Sequence, residues 1–530
     1  MTIRRVEIYD TTLRDGTQQE GISLTARDKL QVSRLLDDLG VAYIEGGWPG
    51  ANPKDDEFFA RAARELDLQN ATLVAFGSTR HADRRAADDE QLAALLEAGT
   101  EVVCLVGKSW DYHVTEALRI DLQEGVAMVG DSIAHLRTHG RRVFFDAEHF
   151  FDGYRANPGF ALETLQTAHE AGAERLVLCD TNGGFLSHEV EQVIGEVTEI
   201  IPDAVFGCHF HNDSGTAVSN SLVAVRTGVT QVQGCVNGYG ERTGNADLCS
   251  VIPNLSLKMG LPTIPAERMG RLATVSHHIA EVVNLTLDPH LPYVGASAFT
   301  HKAGLHTSAL ARKRDAYEHV DPETVGNNTR MVVSELAGRS TILAKAKVSG
   351  WDLSSQDAQD VVDRIKDLEH EGYVFEAADG SLDLLIRDVR GWKQPFFELE
   401  SYRVFVEHRN GTVLAEATVK AIVDAKRIVM TREGQGPVSA IDRALRAALR
   451  DAYPQVDQIR LTDYRVRDLD SADGSSARVR VLCEHSDGEN VWGTVGVHEN
   501  VIDASWKAVS EGLVVGLLRL TEPEFPSGAR

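Results

Sequence analysis

Cysteine is scarce in this chain. The six residues among 530 (Cys104, Cys179, Cys208, Cys235, Cys249 and Cys483) stand apart with no Cys-x-x-Cys pair. Neither a disulfide framework nor a zinc staple is expected from that spacing. Several lie in apolar runs, as buried thiols of a reducing compartment do. No run of about 18 apolar residues is present, so no hydrophobic membrane span is expected. Met1 to Arg5 lead straight into an alternating apolar run without a signal-peptide core, and a cytoplasmic location is expected. Positive charge is in deficit, with 54 Lys and Arg against 79 Asp and Glu and a net charge of -25. That balance disfavours nucleic acid and anionic membrane as partners. It leaves small anions open, because a local arginine and a metal ion reverse the field. Also missing is a Gly-x-Gly-x-x-Gly run after the first strand, the fingerprint of an open dinucleotide-binding sheet.

What is present is ordinary in bulk and ordered along the chain. An apolar content of 43% suits a globular protein, and the length suggests roughly three domains. Eight short apolar runs alternate with amphipathic stretches over the first 260 residues: 6–9, 43–46, 72–76, 102–106, 143–146, 176–179, 205–211 and 231–236. Strands alternating with helices predict right-handed crossovers and a parallel sheet. Eight such units in about 250 residues predict a (β/α)8 TIM barrel, assigned to residues 1–265. Residues 266–395 read as helical subdomains with His- and Pro-bearing loops. From 396 to 530 a period of two dominates, and Leu399-Glu400-Ser401-Tyr402-Arg403 returns as Leu461-Thr462-Asp463-Tyr464-Arg465. Each copy runs on through strands into a helix. Two units too thin to bury a sheet face alone predict a pseudosymmetric α+β domain, and pairing across a two-fold makes a homodimer the expected state.

Chemistry gathers at the predicted strand ends. Asp10-Thr11-Thr12-Leu13-Arg14-Asp15-Gly16 follows the first strand and sets two further acids, an arginine and a turn at its tip. His209 and His211 end the seventh strand, where residues i and i+2 share a face. Active sites of such barrels lie at the C-terminal strand ends. Two imidazoles and the Asp15 carboxylate at one rim therefore suit a divalent metal acting as Lewis acid, with Zn, Mn, Mg and Co not separable. Arg14 is either half of a salt bridge to Asp10 or Glu45, or a fixed charge for an enolate or alkoxide oxygen. Glu148 ends the fifth strand as a catalytic or substrate-positioning acid, or a helix cap. Thr181 ends the sixth, where its hydroxyl suits a carboxylate and its neighbours suit a turn. The Gly-rich run Gly238 to Asn245 after the eighth strand is a candidate phosphate loop, and Asn245 could add an amide oxygen to the metal.

Together these runs resemble the metal-dependent pyruvate carboxyltransferase-type barrels. That group includes the 2-isopropylmalate, homocitrate and citramalate synthases and the hydroxymethylglutaryl-CoA lyases. The resemblance covers essentially the whole chain, since the helical middle and the repeated C-terminal domain match the synthases' CoA-closing subdomains and allosteric dimer domain, which the lyases lack. Tyr9 to Gln18 with Ile44-Glu45-Gly46-Gly47-Trp48-Pro49-Gly50 are most similar to the longer bacterial type of citramalate synthase. The resemblance implies Asp15, His209 and His211 as metal ligands with Asn245 at the fourth position. It implies Arg14 as the residue polarising the keto acid, Glu148 as the acid of the keto-acid pocket, and Thr181 as the holder of the substrate carboxylate. His306 and Tyr317 match the segments that reach acetyl-CoA. Trp48, where many synthases carry Phe, would shrink the pocket and favour pyruvate. The implied reaction condenses acetyl-CoA with pyruvate and hydrolyses the thioester, on a route to isoleucine, with a 2-isopropylmalate or homocitrate synthase as the alternative. The C-terminal domain is expected to bind a regulatory amino acid, with Gly434-Gln435-Gly436-Pro437 as a candidate lining.

Overall fold

The computed structural model describes residues 5–302, 309–310, 313–331, 339, 342–343, 346, 351–409, 411–469 and 478–521. Contacts divide the chain into two units, Met1–Phe299 with Glu318–Asn328, and Thr300–Tyr317 with Thr329–Arg530.

The first unit is built on eight parallel strands, β1 (Glu7–Asp10), β2 (Tyr43–Gly47), β3 (Thr72–Ser78), β4 (Val102–Lys108), β5 (Arg142–Glu148), β6 (Arg175–Asp180), β7 (Phe206–Phe210) and β8 (Gln231–Gly234). They pair in chain order, and β1 closes the barrel by pairing with β8 from Glu7↔Gln231 to Asp10↔Gly234. The alternation of side chains fills two layers. Ile8, Ile44, Ala75, Val103 and Phe145 point outward into the shell of helices. Tyr9, Tyr43, Val74, Phe76, Cys104 and Phe144 point inward and pack the barrel itself. Tyr43 meets Phe144 edge to face at 5.1 Å between ring centroids, a favourable use of the ring quadrupoles. The N-terminal end of the barrel is tied by Arg175 to Glu7 at 3.2 Å and by Arg142 to Glu174 at 2.7 Å. The opposite end is left for the loops.

Local signals set the helices. Thr25 and Asp28 form a reciprocal capping box at the start of Ala26–Leu39, and Gly40 ends that helix in the left-handed region. Lys29 on this helix is buried and pairs with Asp55, which also accepts the Trp48 amide at 2.9 Å. That buried pair fixes the loop after β2. All six cysteines are free and buried, and no described helix is long and apolar enough to cross a membrane.

In the second unit, helices Ser355–His370 and Asp379–Val389 precede a repeated domain. Each repeat is a three-stranded antiparallel sheet followed by a helix. The first comprises Glu398–Arg409, Thr412–Val423, Lys426–Gly434 and helix Pro437–Leu449. The second comprises Arg460–Asp468, Val479–Ser486, Val491–His498 and helix Val501–Thr521. The sequence repeat is matched by a shared irregularity. The ladder shifts register between Leu399 and Ser401 in one copy and between Leu461 and Asp463 in the other. Both repeat tyrosines then reach the same helix: the Tyr402 hydroxyl bonds Asp503, and the Tyr464 hydroxyl lies 2.7 Å from Ser505. Gly434 to Pro437 form the entry to helix Pro437–Leu449, with Pro437 in its first turn.

One histidine in this domain is a buried polar group without compensation. His485 stacks on Trp492, with the rings 13° from parallel, and neither ring nitrogen has a hydrogen-bond partner. Burial, with Arg446 adding to it, pushes its imidazole down to about 4 from the ordinary 6.5. The folded domain thus refuses a proton that the unfolded chain accepts between those values. The contribution is fully present above about pH 6.5 and is lost as pH falls toward 4. Thermal melting at pH 7 and pH 5 should show a fall in stability at the lower pH, and His485→Phe should make that fall smaller.

Candidate active site

Arg14 and Asp15 follow β1 in a turn closed by the Thr11 carbonyl, which accepts from the Arg14 and Gly16 amides at 3.1 and 3.0 Å. Asp10 does not hold Arg14. Its two oxygens accept from the Thr12 amide at 2.9 Å and the Thr12 hydroxyl at 2.8 Å. The same hydroxyl accepts from the Val236 amide at 2.9 Å, so Asp10 and Thr12 bind the end of β1 to the end of β8. Burial pushes the Asp10 carboxyl up to about 7, against the Thr12 bonds. Gly16 is not needed for a left-handed turn, since it has no positive φ and a Cβ there meets only ordinary contacts.

Glu45, wholly buried at the end of β2, is the partner of Arg14. The Arg14 Nε donates to Glu45 Oε1 at 2.5 Å, and the Tyr9 hydroxyl donates to the other oxygen at 2.5 Å. The guanidinium lies 3.8 Å above the Phe76 ring, and its Nη1 is 3.7 Å from Asp15 Oδ2. A planar charge bonded on one edge, stacked below and facing a carboxylate has little freedom left.

Asp15, His209 and His211 come together. Asp15 Oδ2 is 3.2 Å from His209 Nε2 and 3.8 Å from His211 Nε2, and the two Nε2 atoms are 3.3 Å apart. Against the burial that raises it, Arg14 holds the Asp15 carboxyl well below the usual range, with His209 adding to the effect. Burial and the neighbouring His209 push His211 down to about 3, which keeps its lone pair available. Against burial, Asp15 raises His209. Asn245 pairs with His211 through an isolated bridge. Its Nδ2 donates to the Tyr239 carbonyl at 3.2 Å, while its Oδ1 is buried without a partner. Two imidazoles and one ionised carboxylate within reach of one another, with an orphaned amide oxygen on the residue bridged to His211, fit a divalent cation.

The loop that carries Asn245 turns several of its amides inward. The amides of Gly238, Gly240, Gly244 and Asn245 already donate to Cys235 O, Gln19 Oε1, Glu241 O and Gly238 O. At Gly240 (φ +149) a Cβ would lie 2.3 Å from Asn245 Nδ2, and at Gly244 (φ +89) it would lie 2.0 Å from the Gly238 oxygen. Only glycine permits that closeness. Arg242 then binds Asp213 and the Thr181 carbonyl, joining the loops after β6, β7 and β8.

These groups face a cavity of about 810 Å³ at the C-terminal ends of the strands, lined among others by Arg14, Trp48, Phe76, Lys108, Glu148 and Thr181. Trp48 meets Phe76 edge to face at 5.2 Å, and its Nε1 donates to Gln91 Oε1 at 2.6 Å, so it forms a fixed wall. The Thr181 Oγ1 accepts from the His149 amide at 2.9 Å, which leaves its own proton to donate. Glu148 is ion-paired with Lys108 at the end of β4, and both are partly exposed to the cavity. Lys108 was not among the expected site residues. Its place at the end of a barrel strand, in Val106-Gly107-Lys108-Ser109, was the available signal. Tyr317 is 43% exposed and belongs to the second unit. His306 lies outside the described residues.

Residues 5–276 match the HMGL-like family, 293–373 the homocitrate synthase post-HMGL domain-like family, and 376–516 the LeuA allosteric (dimerisation) domain. The (R)-citramalate synthase of Streptomyces coelicolor is 52% identical, over 97% of this chain and 96% of that protein. That of Aquifex aeolicus is 48% identical, over 97% of this chain and 98% of its own length. The chain belongs to the (R)-citramalate synthase family. A probable 2-isopropylmalate synthase of Methanopyrus kandleri stands further off, at 32% identity over 96% of this chain and 98% of that protein. Members of the HMGL-like family are metal-dependent condensing or cleaving barrels, in keeping with the donor set here.

Removing the Lys108 ammonium would leave Glu148 as an unpaired negative charge facing an anionic substrate. Lys108→Met should raise KM for the keto acid about tenfold, the equivalent of ~1.4 kcal/mol. Steady-state kinetics at fixed acetyl-CoA checks this, and an unchanged KM would place the pair outside the substrate's reach.

Proposed function

We propose that this chain condenses acetyl-CoA with pyruvate and hydrolyses the thioester, giving (R)-citramalate and CoA. The observation that carries the reading is the convergence of Asp15, His209, His211 and Arg14 on one cavity in a chain of this family. Asp15, His209, His211 and Asn245 would hold the metal. A bound divalent ion, whether Zn, Mn, Mg or Co, supplies Lewis-acid polarisation of the keto group. Arg14, already fixed by Glu45 and Phe76, offers its remaining N–H groups to the keto oxygen as charge develops on it. The Thr181 hydroxyl donates to the pyruvate carboxylate. Glu148, with its charge offset by Lys108, completes that wall, and Trp48 against Phe76 limits the side chain of the keto acid.

A base removes a methyl proton from acetyl-CoA, and the resulting carbon bonds to the keto carbon of pyruvate. The keto oxygen takes the electron pair and then a proton. Water adds to the thioester, the C–S bond breaks, and CoA leaves as the thiol. His306 as base and Tyr317 near the thioester are assignments from the sequence resemblance. Orientation of the two substrates supplies much of the acceleration. The match of the C-terminal domain to the LeuA allosteric (dimerisation) domain supports reading the protein as a homodimer, and an amino-acid feedback inhibitor completes the proposal, for which isoleucine fits the end of the route.

The test is CoA release from acetyl-CoA with a panel of 2-oxo acids and added metal. Pyruvate should be preferred, and Arg14→Lys, which loses the planar guanidinium and its stack on Phe76, should lower kcat roughly 10²- to 10³-fold. Preference for 2-oxoisovalerate or 2-oxoglutarate would overturn the substrate assignment. Isoleucine should raise the melting temperature of the full chain and inhibit it more than leucine or valine do.

A further inference from the structure

Beneath the metal-type cluster the barrel interior holds polar groups that the reaction scheme leaves unused. Gln233, on β8 and wholly buried, lies between His209 and Asp146. His209 Nδ1 is 2.9 Å from Gln233 Oε1, and Gln233 Nε2 donates to Asp146 Oδ1 at 2.9 Å. An amide oxygen only accepts, so Nδ1 must carry the hydrogen. In the other tautomer two lone pairs would face each other at that distance. With the hydrogen on Nδ1, the lone pair of the neutral ring lies on Nε2, the nitrogen that faces Asp15 and His211.

The orientation of the amide is fixed in turn from its other end. A carboxyl oxygen of Asp146 takes the Nε2–H, which holds the Gln233 oxygen toward the histidine. The arrangement is specific to one position. Gln231, two residues earlier on β8, leaves its Oε1 without a partner, and His211 leaves its Nδ1 without one. Of the two histidines, His209 alone has its outer nitrogen held by a side chain. Groups of this kind fix the tautomer and ring orientation of a metal-binding imidazole, and their loss costs about 10- to 100-fold in affinity.

We propose that Gln233 is a positioning residue for the metal-facing nitrogen of His209, with Asp146 holding the Gln233 amide in its working orientation. The proposal rests on His209 as a metal ligand, and the experiment separates the two. Metal-free full-length protein is titrated with Co²⁺, reading its visible absorption and the dissociation constant, alongside the melting temperature of the metal-free form. His209→Ala should abolish the absorption; an unchanged spectrum would overturn the ligand assignment itself. Gln233→Leu should weaken Co²⁺ about 10- to 100-fold with little change in metal-free melting. The double variant Gln233→Glu/Asp146→Asn keeps an acceptor opposite Nδ1 and a donor–acceptor bond between the two side chains, and it should recover most of the loss, which a purely structural role would not predict. Asp146→Leu removes the acceptor that holds the amide and should also weaken Co²⁺, and it serves if Gln233→Leu does not fold. Co²⁺ affinity unchanged in the folded Gln233→Leu or Asp146→Leu protein, with His209→Ala inactive in binding, would overturn the positioning role alone.

Discussion

The bond between Arg14 and Glu45 is the constraint around which the mouth of the barrel is arranged. It places a permanent positive charge at the end of β1 and anchors it to β2 below the surface. A buried ion pair is costly to desolvate and stabilises a fold only weakly. Its return here is geometric. Tyr9 satisfies the second Glu45 oxygen, Phe76 supports the guanidinium from below, and the Arg14 charge in turn keeps Asp15 ionised. The remaining edge of Arg14 is left toward the cavity. One pair thus fixes the group that meets the substrate and prepares the group that meets the metal.

The barrel was legible because its pattern is simple. Each of the eight apolar runs became a strand, with ends shifted by one or two residues where a polar residue such as Lys108, Glu148 or Asp180 continues the ladder. The C-terminal repeat was legible through five residues around Tyr402 and Tyr464, and the structure adds the shared register shift that five letters do not encode. The third strand of the first repeat, Lys426–Gly434, is largely exposed and carries little alternation to read.

The site was legible to the extent that chemistry is concentrated in short runs. Asp15, His209 and His211 share one rim because strand ends share one rim, and the backbone of Asn245 is bridged to that of His211. Pairings across the barrel were not legible. Nothing in the order of residues says that Glu148 meets Lys108, that Arg14 chooses Glu45 over Asp10, or that Gln233 lies between His209 and Asp146. Those depend on barrel closure and on which face each strand turns inward. Composition shows the backbone freedom of the glycines after β8 but not that the amides of Gly238, Gly240, Gly244 and Asn245 bond within the protein.

The two repeat tyrosines end on one helix, Val501–Thr521, at Asp503 and Ser505. A duplicated domain is expected to divide into interchangeable halves, each complete in itself. This one has made its last helix common property, and the core beside the first sheet also draws on Leu513, Val515 and Leu517 of that helix. The halves are alike in sequence yet unequal in debt: the first leans on the end of the second. A chain stopped before residue 501 would therefore keep helix Pro437–Leu449 over the first sheet, but it would bare the second sheet and take Leu513, Val515 and Leu517 out of the first core.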